Sequence, residues 1–285
     1  MQFDEIQHHS KLAFDKWKDL WIGNCKANMK RIATSHRDYL GIYEGKIAVL
    51  FSYGPSFEKN VEEFKASDLY KNPNVVVGCV DKAFRPLVQR NIFPDHCIIA
   101  DGSIDPDWFK GVPDHAVQSC VLISNVYARP EWSEHWERKN GKKSILWYLN
   151  KDNLNTHDFF GNIANYYEVI PAASNVSNSL VVFFRQIFGC RTFYLCGFNF
   201  SWKKGKYYGA EDHKKKNFLG MLRQVDINGD LVWASTNMDF SRRWLENYCV
   251  YSEQNFGCTF VNCSGEGMLN IVRKENLNNV EICRY

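Results

Sequence analysis

Apolar residues in this chain gather in short uninterrupted runs, and between the runs they return at helical spacing. "IAVLF" from Ile47, "NVVVGCV" from Asn74, "HCIIA" from His96, "SILWYL" from Ser144 and "TFYLCGF" from Thr192 have the length and composition of strands buried on both faces. "AVQSCVLIS" from Ala116 reads as one more strand. Helices are predicted over Pro55 to Phe64, around Pro86 to Asn91, and over Asn178 to Phe188, where Gly189 supplies a C-terminal cap. Strands alternating with helices imply an α/β fold, a Rossmann-like, doubly wound, mostly parallel sheet with right-handed crossovers.

The two ends of the pattern differ from its middle. Phe14, Trp17, Leu20, Trp21 and Met29 recur at roughly helical spacing among lysines, so residues 1–43 read as an N-terminal helical segment packed on a domain of residues 44–285. Beyond Ser201 comes a polar stretch, then "QVDINGDLVWAS", where Asn228-Gly229 between apolar runs signals an inserted β-hairpin with a two-residue turn. A helix over Ser241 to Gln254 and a strand "CTFVNC" complete the pattern.

Composition narrows the partners. Of the 285 residues, 35 are Lys or Arg and 32 are Asp or Glu, a formal charge of only +3. That is no footprint for a duplex, so nucleic acid is not the expected partner. "HKKKN" at His213 to Asn217 is the local exception, and reads either as a phosphate contact or as a solvated loop. Ten cysteines include no C-x-x-C pair, and several lie inside apolar runs as small hydrophobes. The first residues lack a secretion-type apolar core, and no run of about 18 apolar residues occurs. A cytoplasmic protein without a membrane partner is the expectation, and no spacing of histidines suggests zinc.

The candidate chemistry lies at strand ends. In an open parallel sheet, ligands bind beyond the carboxyl ends of the strands. "SYGPS" follows the first strand: Gly54 permits close backbone approach, Pro55 presets a helical φ, and Ser52 and Ser56 carry hydroxyls beside the N–H groups of a helix start. This turn reads as a phosphate cradle or as an ordinary strand-to-helix turn with a serine cap. It is neither a Walker loop nor G-x-G-x-x-G. Asp101, with Ser103 two residues on, would hold Mg²⁺ or a ribose hydroxyl, or cap the next turn. "SNVSNS" places Ser177 and Asn178 at the start of the strongest helix, and "GFNFSW" ends its strand with Asn199 and Ser201. Four polar strand ends on one sheet edge point to a nucleotide-type pocket.

"GPSF", "RNIFPDHCIIADGS", "NSLVVFFRQIFGCRTFYLCGFNFSW" and "VDINGDLVWAS", in that order, resemble the 6-hydroxymethylpterin diphosphokinase MptE-like family, which also takes in motility-accessory-factor glycosyltransferases and phage members. A more distant likeness is to bacterial sialyltransferases that use CMP-activated sugar. The resemblance implies a Rossmann-like transferase that binds a nucleotide or nucleotide sugar. Its archaeal members transfer diphosphate from ATP to a pterin alcohol with Mg²⁺. It puts Gly54, Pro55 and Ser56 at the nucleotide phosphates, Asp101 at the strand-end aspartate, and Ser177-Asn178 where the family has Ser/Thr-Gly. This sequence departs from the pattern at Ser52, where a glycine is usual, at Asn199, where G-x-D has its aspartate, and at Ala234, near the base histidine of the sialyltransferases.

Diphosphoryl transfer needs positioning and charge neutralisation more than covalent catalysis. Asp101, with Asp105 or Asp107, would hold Mg²⁺, and His213, beside Lys214 to Lys216, would act as base or phosphate contact unless it is a plain surface histidine. A glycosyltransferase is the alternative, with Trp202, Tyr207, Tyr208 and Trp233 available to stack on a sugar or to pack a core. A binding module that keeps the fold without chemistry is the third reading, favoured by Asn199.

Overall fold

The computed structural model describes residues 2–31, 36–151, 157–171, 175–203, 221–271 and 273–277. Strands β1 (Ile47–Phe51), β2 (Val75–Val80), β3 (His96–Ile99), β4 (Val121–Asn125), β5 (Ile145–Asn150), β6 (Glu168–Ile170), β7 (Thr192–Cys196), β10 (Thr259–Asn262) and β11 (Arg273–Lys274) form a nine-stranded sheet in the order β11-β10-β7-β1-β2-β3-β4-β5-β6. The pairs β1–β7, β7–β10, β10–β11, β3–β4, β4–β5 and β5–β6 are all parallel. Strand order reverses at β1, as a doubly wound sheet requires. A separate two-stranded antiparallel sheet joins β8 (Leu222–Val225) to β9 (Leu231–Ala234). The α/β class and the hairpin insertion are as the apolar pattern implies.

The chain divides into two compact units, Met1–Ile42 with Cys79–Phe188, and Tyr43–Gly78 with Gly189–Tyr285. In the first, α1 (Gln2–Asn28) is the expected N-terminal helix. Its buried asparagines grip two strand-end loops: Asn24 Nδ2 donates to the carbonyls of Gly102 and Tyr127 (3.2 and 3.0 Å), and Asn28 Nδ2 to those of Val126 and Ala128 (2.9 and 2.8 Å). Trp21 stacks on Tyr127 with ring centroids 4.5 Å apart. A Cβ at Gly102 would sit 2.6 Å from the Trp21 ring, so only glycine allows that loop to pass beneath the indole. Helix α5 (Pro130–Asn140) buries Trp132 and Trp136 one turn apart, and the Trp136 indole N–H donates to the Cys120 carbonyl at 3.0 Å.

In the second unit, α2 (Phe57–Ala66) sets Phe57 and Phe64 against Phe51, and Phe193 stacks on Phe260 across β7 and β10. Helix α8 (Thr236–Phe256) starts at Ser235, whose Oγ accepts from the Met238 amide, and ends at Gly257 with φ of 64°.

Three elements depart from the sequence expectation. Helix α3 (Asp81–Gln89) begins directly at the end of β2, with Pro86 inside it rather than at its start. "AVQ" belongs to the short helix α4 (Asp114–Gln118), which turns Ala116 and Val117 inward, so only its second half is strand. The hairpin turn is wider than two residues: Asp226 and Asp230 pair across Ile227-Asn228-Gly229, Gly229 has φ of 89°, and the Asp226 carboxylate accepts from the amides of Asn228 and Asp230. Helices α5 and α6 (Asp158–Ile163) and strands β6 and β11 had no apolar run long enough to announce them.

The nine described cysteines are free and buried, as small hydrophobes are. Among the described residues, no helix is long and apolar enough to cross a membrane.

Candidate functional site

Each unit gathers its own polar strand ends, and the two sets differ in kind. In the second unit, the Gly-Pro-Ser turn after β1 meets the loop after β7. The Asn199 side chain, 1% exposed, accepts from the Ser56 amide at 3.1 Å and from its hydroxyl at 2.9 Å, while Asn199 Nδ2 donates to the Glu266 carbonyl at 3.2 Å. Asn60, on α2, accepts from the Gly197 amide at 2.9 Å and donates to the Cys263 carbonyl at 2.6 Å. Ser201 Oγ turns back to the Asn199 carbonyl at 3.2 Å. A Cβ on Gly54 would collide with the Gly197 carbonyl and the Asn199 side chain, and one on Gly267 would lie 2.6 Å from the Asn199 carbonyl oxygen.

Close approach of chain to chain therefore demands the glycines at 54 and 267. Pro55 is buried and Ser52 and Gly54 are half-buried, while the Ser56 hydroxyl, expected to face a ligand, lies inside this knot. Asn199, where the related pattern has aspartate, works as an amide, with acceptor and donor both used. Asn199→Asp is expected to lose about 2 kcal/mol of stability at neutral pH, because a carboxylate oxygen would then face the Glu266 carbonyl. Urea unfolding checks this, and part of the loss should return in acid, where the carboxyl regains a proton to donate.

The first unit holds a different set. Asp81 is the first residue of α3 at the carboxyl end of β2, Asp101 follows the end of β3, Asn125 ends β4, Tyr148 lies in β5, and the first turn of α7 (Val176–Gln186) holds Ser177, Asn178 and Ser179. The Tyr148 hydroxyl donates to the Ile99 carbonyl at 3.2 Å, and the Ser179 and Asn125 side chains face it. Burial holds the Tyr148 phenol well above its usual range, and the negative charge of Asp81 adds to that. Burial likewise pushes the Asp81 carboxyl up to about 6, against the opposing pull of Lys82, its charge and its amide (Lys82 N to Asp81 Oδ1, 2.6 Å); the charge of Asp101 pushes it further up.

Asp101 is exposed, and its Oδ1 accepts from the Ser103 amide and hydroxyl, both at 2.8 Å. Asp105 caps Asp107, accepting from its amide at 3.0 Å, which closes the loop. The helix cap of α7 is Asn175, which accepts from the Ser177 amide at 2.8 Å, so Ser177, Asn178 and Ser179 are buried beyond the cap.

Asp81 escaped the sequence reading as a site residue, although "VVVGCVD" ends as "HCIIAD" does, an apolar run stopped by a carboxylate. Asn125 and Tyr148 sent no such signal, since each sits within or beside an apolar run, while Ser179 closes "SNVSNS", a stretch the sequence does single out. His96 is buried among Phe184 and Phe188 at the start of β3, and burial lowers its imidazole to about 3, so it is a neutral core residue. Trp202 is buried and pairs through its backbone with Trp233, a packing role. His213, Lys214 to Lys216, Tyr207 and Tyr208 lie outside the described residues.

Two carboxylates on neighbouring strand ends are a fitting donor set for Mg²⁺, which takes one or two protein carboxylates and draws its other ligands from phosphate and water. Among the described residues no group of three or more His, Cys, Asp or Glu converges on one point.

A doubly wound sheet with polar groups along its strand carboxyl ends defines the Rossmann-like class of fold. The model of the 6-hydroxymethylpterin diphosphokinase MptE-like family matches residues 22–205, and the chain belongs to that family. Among solved structures, the Maf glycosyltransferase from Magnetospirillum magneticum AMB-1 is similar, with a TM-score of 0.66 at 17% identity over 93% of this chain and 39% of that one. This chain thus spans about two fifths of that protein's length, and the likeness is one of fold. No curated protein matches.

Proposed function

We propose that the chain is a nucleotide-dependent transferase that moves diphosphate from Mg²⁺-ATP to a small pterin-like alcohol. The observation that carries this reading is the pairing of a buried carboxyl, Asp81, with an exposed one, Asp101, at neighbouring strand ends of one unit, beside the polar start of α7. In the transfer the acceptor oxygen bonds to the β-phosphorus, the bond from that phosphorus to the oxygen on the α-phosphorus breaks, and AMP leaves. Mg²⁺, when bound, would neutralise charge on the phosphates. Asp101 would meet the ion from the solvent side and Asp81 from the protein side. Ser103 orients the Asp101 carboxylate, and the Tyr148 hydroxyl stays protonated as a fixed dipole near Asp81. The start of α7 would face the nucleotide, while Gly54, Pro55, Ser56, Asn199 and Ser201 shape the turn at the reversal of strand order.

A glycosyltransferase using a nucleotide-activated sugar is the second reading, favoured by the solved fold relative. Thermal shift separates the two, and a binding module as well. ATP with Mg²⁺ at about 100 times its Kd should raise the melting temperature by about 5 °C, equivalent to roughly 2.7 kcal/mol, and ATP with EDTA should not. AMP appearing only when a hydroxymethylpterin is added completes the case. A shift with CMP-, UDP- or GDP-sugars alone selects the second reading, and no shift with any nucleotide selects the binding module.

A further inference from the structure

Polyphosphate transfer requires positive charge, and neither the carboxylate pair nor the start of α7 carries a basic side chain. Helix α3 does. Lys82 and Arg85 follow Asp81 at i+1 and i+4, three residues apart and so on one face of the helix. Both lean on a single indole: Lys82 Nζ lies 5.4 Å and Arg85 Cζ 5.8 Å from the ring centroid of Trp108, which sits on the loop following Asp101. Arg85 Nη1 also donates to the Asp107 carbonyl at 3.3 Å. All three side chains are half-buried, which limits their freedom without removing them from solvent. Two long cationic side chains are thus held at the strand edge that carries both carboxylates, as cation–π contact with a fixed ring would hold them. The same loop carries Asp101, Asp105 and Asp107, so the patch is mixed in sign. Mixed sign disfavours a bare anion and suits a polyphosphate already chelated by a divalent cation.

We propose that Lys82 and Arg85, positioned by Trp108, form a subsite for the terminal phosphates of a metal-chelated nucleoside triphosphate. This deepens the transferase reading and rests on it. Calorimetric titration of the full chain with MgATP and with AMP in the same buffer tests it. Wild type should bind MgATP at least about tenfold more tightly than AMP, and Lys82→Ala and Arg85→Ala should each weaken MgATP about tenfold while leaving AMP within about twofold. Trp108→Leu should weaken MgATP in the same selective way, and Arg85→Lys should recover part of the affinity. Lys82→Gln and Arg85→Gln replace the alanine variants if those fail to fold.

Equal MgATP affinity in wild type and both charge variants overturns the subsite and leaves the transferase reading standing. Wild type that binds MgATP no more tightly than AMP also overturns the subsite alone. Wild type that binds no nucleotide at all overturns both.

Discussion

Asp81→Asn is expected to be more stable than wild type at pH 7 and to lose at least about a hundredfold in diphosphate transfer, the scale on which a charge-stabilising group matters. The stability half follows from linkage. The Asp81 carboxyl rises from an ordinary 3.8 to about 6 in the folded chain, mainly through burial. Between those values the folded chain binds more protons than the unfolded one, so stability falls as pH rises. The favourable contribution is complete below about pH 4 and is gone above about pH 6, a difference on the order of 3 kcal/mol. Asparagine keeps the Oδ1 that accepts from the Lys82 amide and has no charge to bury. Melting curves of the metal-free proteins in EDTA from pH 4 to 7.5 should therefore slope less for the variant and diverge most at pH 7. A variant less stable than wild type at pH 7 would remove the claim of a strained buried carboxyl, and one that still turns over normally would remove Asp81 from the chemistry.

Asn60→Ala carries the second large effect, and it is purely structural. Asn60 is fully buried, and its amide joins the Gly197 N–H, the Cys263 carbonyl and the Ser56 hydroxyl. Alanine leaves the Gly197 amide and the Cys263 carbonyl without these partners inside the protein and opens a small void. Each stranded group costs about 1–3 kcal/mol, so a loss of about 3–5 kcal/mol is expected in urea unfolding. Asn60→Asp should not recover it at neutral pH, since its carboxylate would face the Cys263 carbonyl and the Glu63 carboxylate that the amide now donates to. A loss under about 1 kcal/mol for the alanine variant would mean that the knot around the Gly-Pro-Ser turn contributes little.

These variants separate two kinds of strand end that look alike on paper. In the sequence Gly54-Pro55-Ser56 reads as a phosphate cradle or as an ordinary serine-capped turn, and Asn199 as a polar strand end, because glycine, proline, hydroxyl and amide at a strand terminus suit either. Their neighbours show another reason for the same residues. Ser56 and Asn199 lie 143 positions apart and bond to each other, a pairing that no local spacing reveals. Asp81 follows its apolar run as Asp101 does, and helix α3 begins at Asp81 itself rather than near Pro86.

The order of strands and helices was open to reading because it rests on local physics: runs of branched apolar residues suit strands buried on both faces, and the capping and breaking residues mark their limits. The carboxylate after the third strand could be found for the same reason, since it interrupts an apolar run. Which polar ends face one another, which carboxyl loses its water, and which cations lean on Trp108 depend on contacts between residues far apart in the chain. Desolvation and hydrogen-bond partnership are properties of that packing, and they set the chemistry of Asp81 and the structural duty of Asn199.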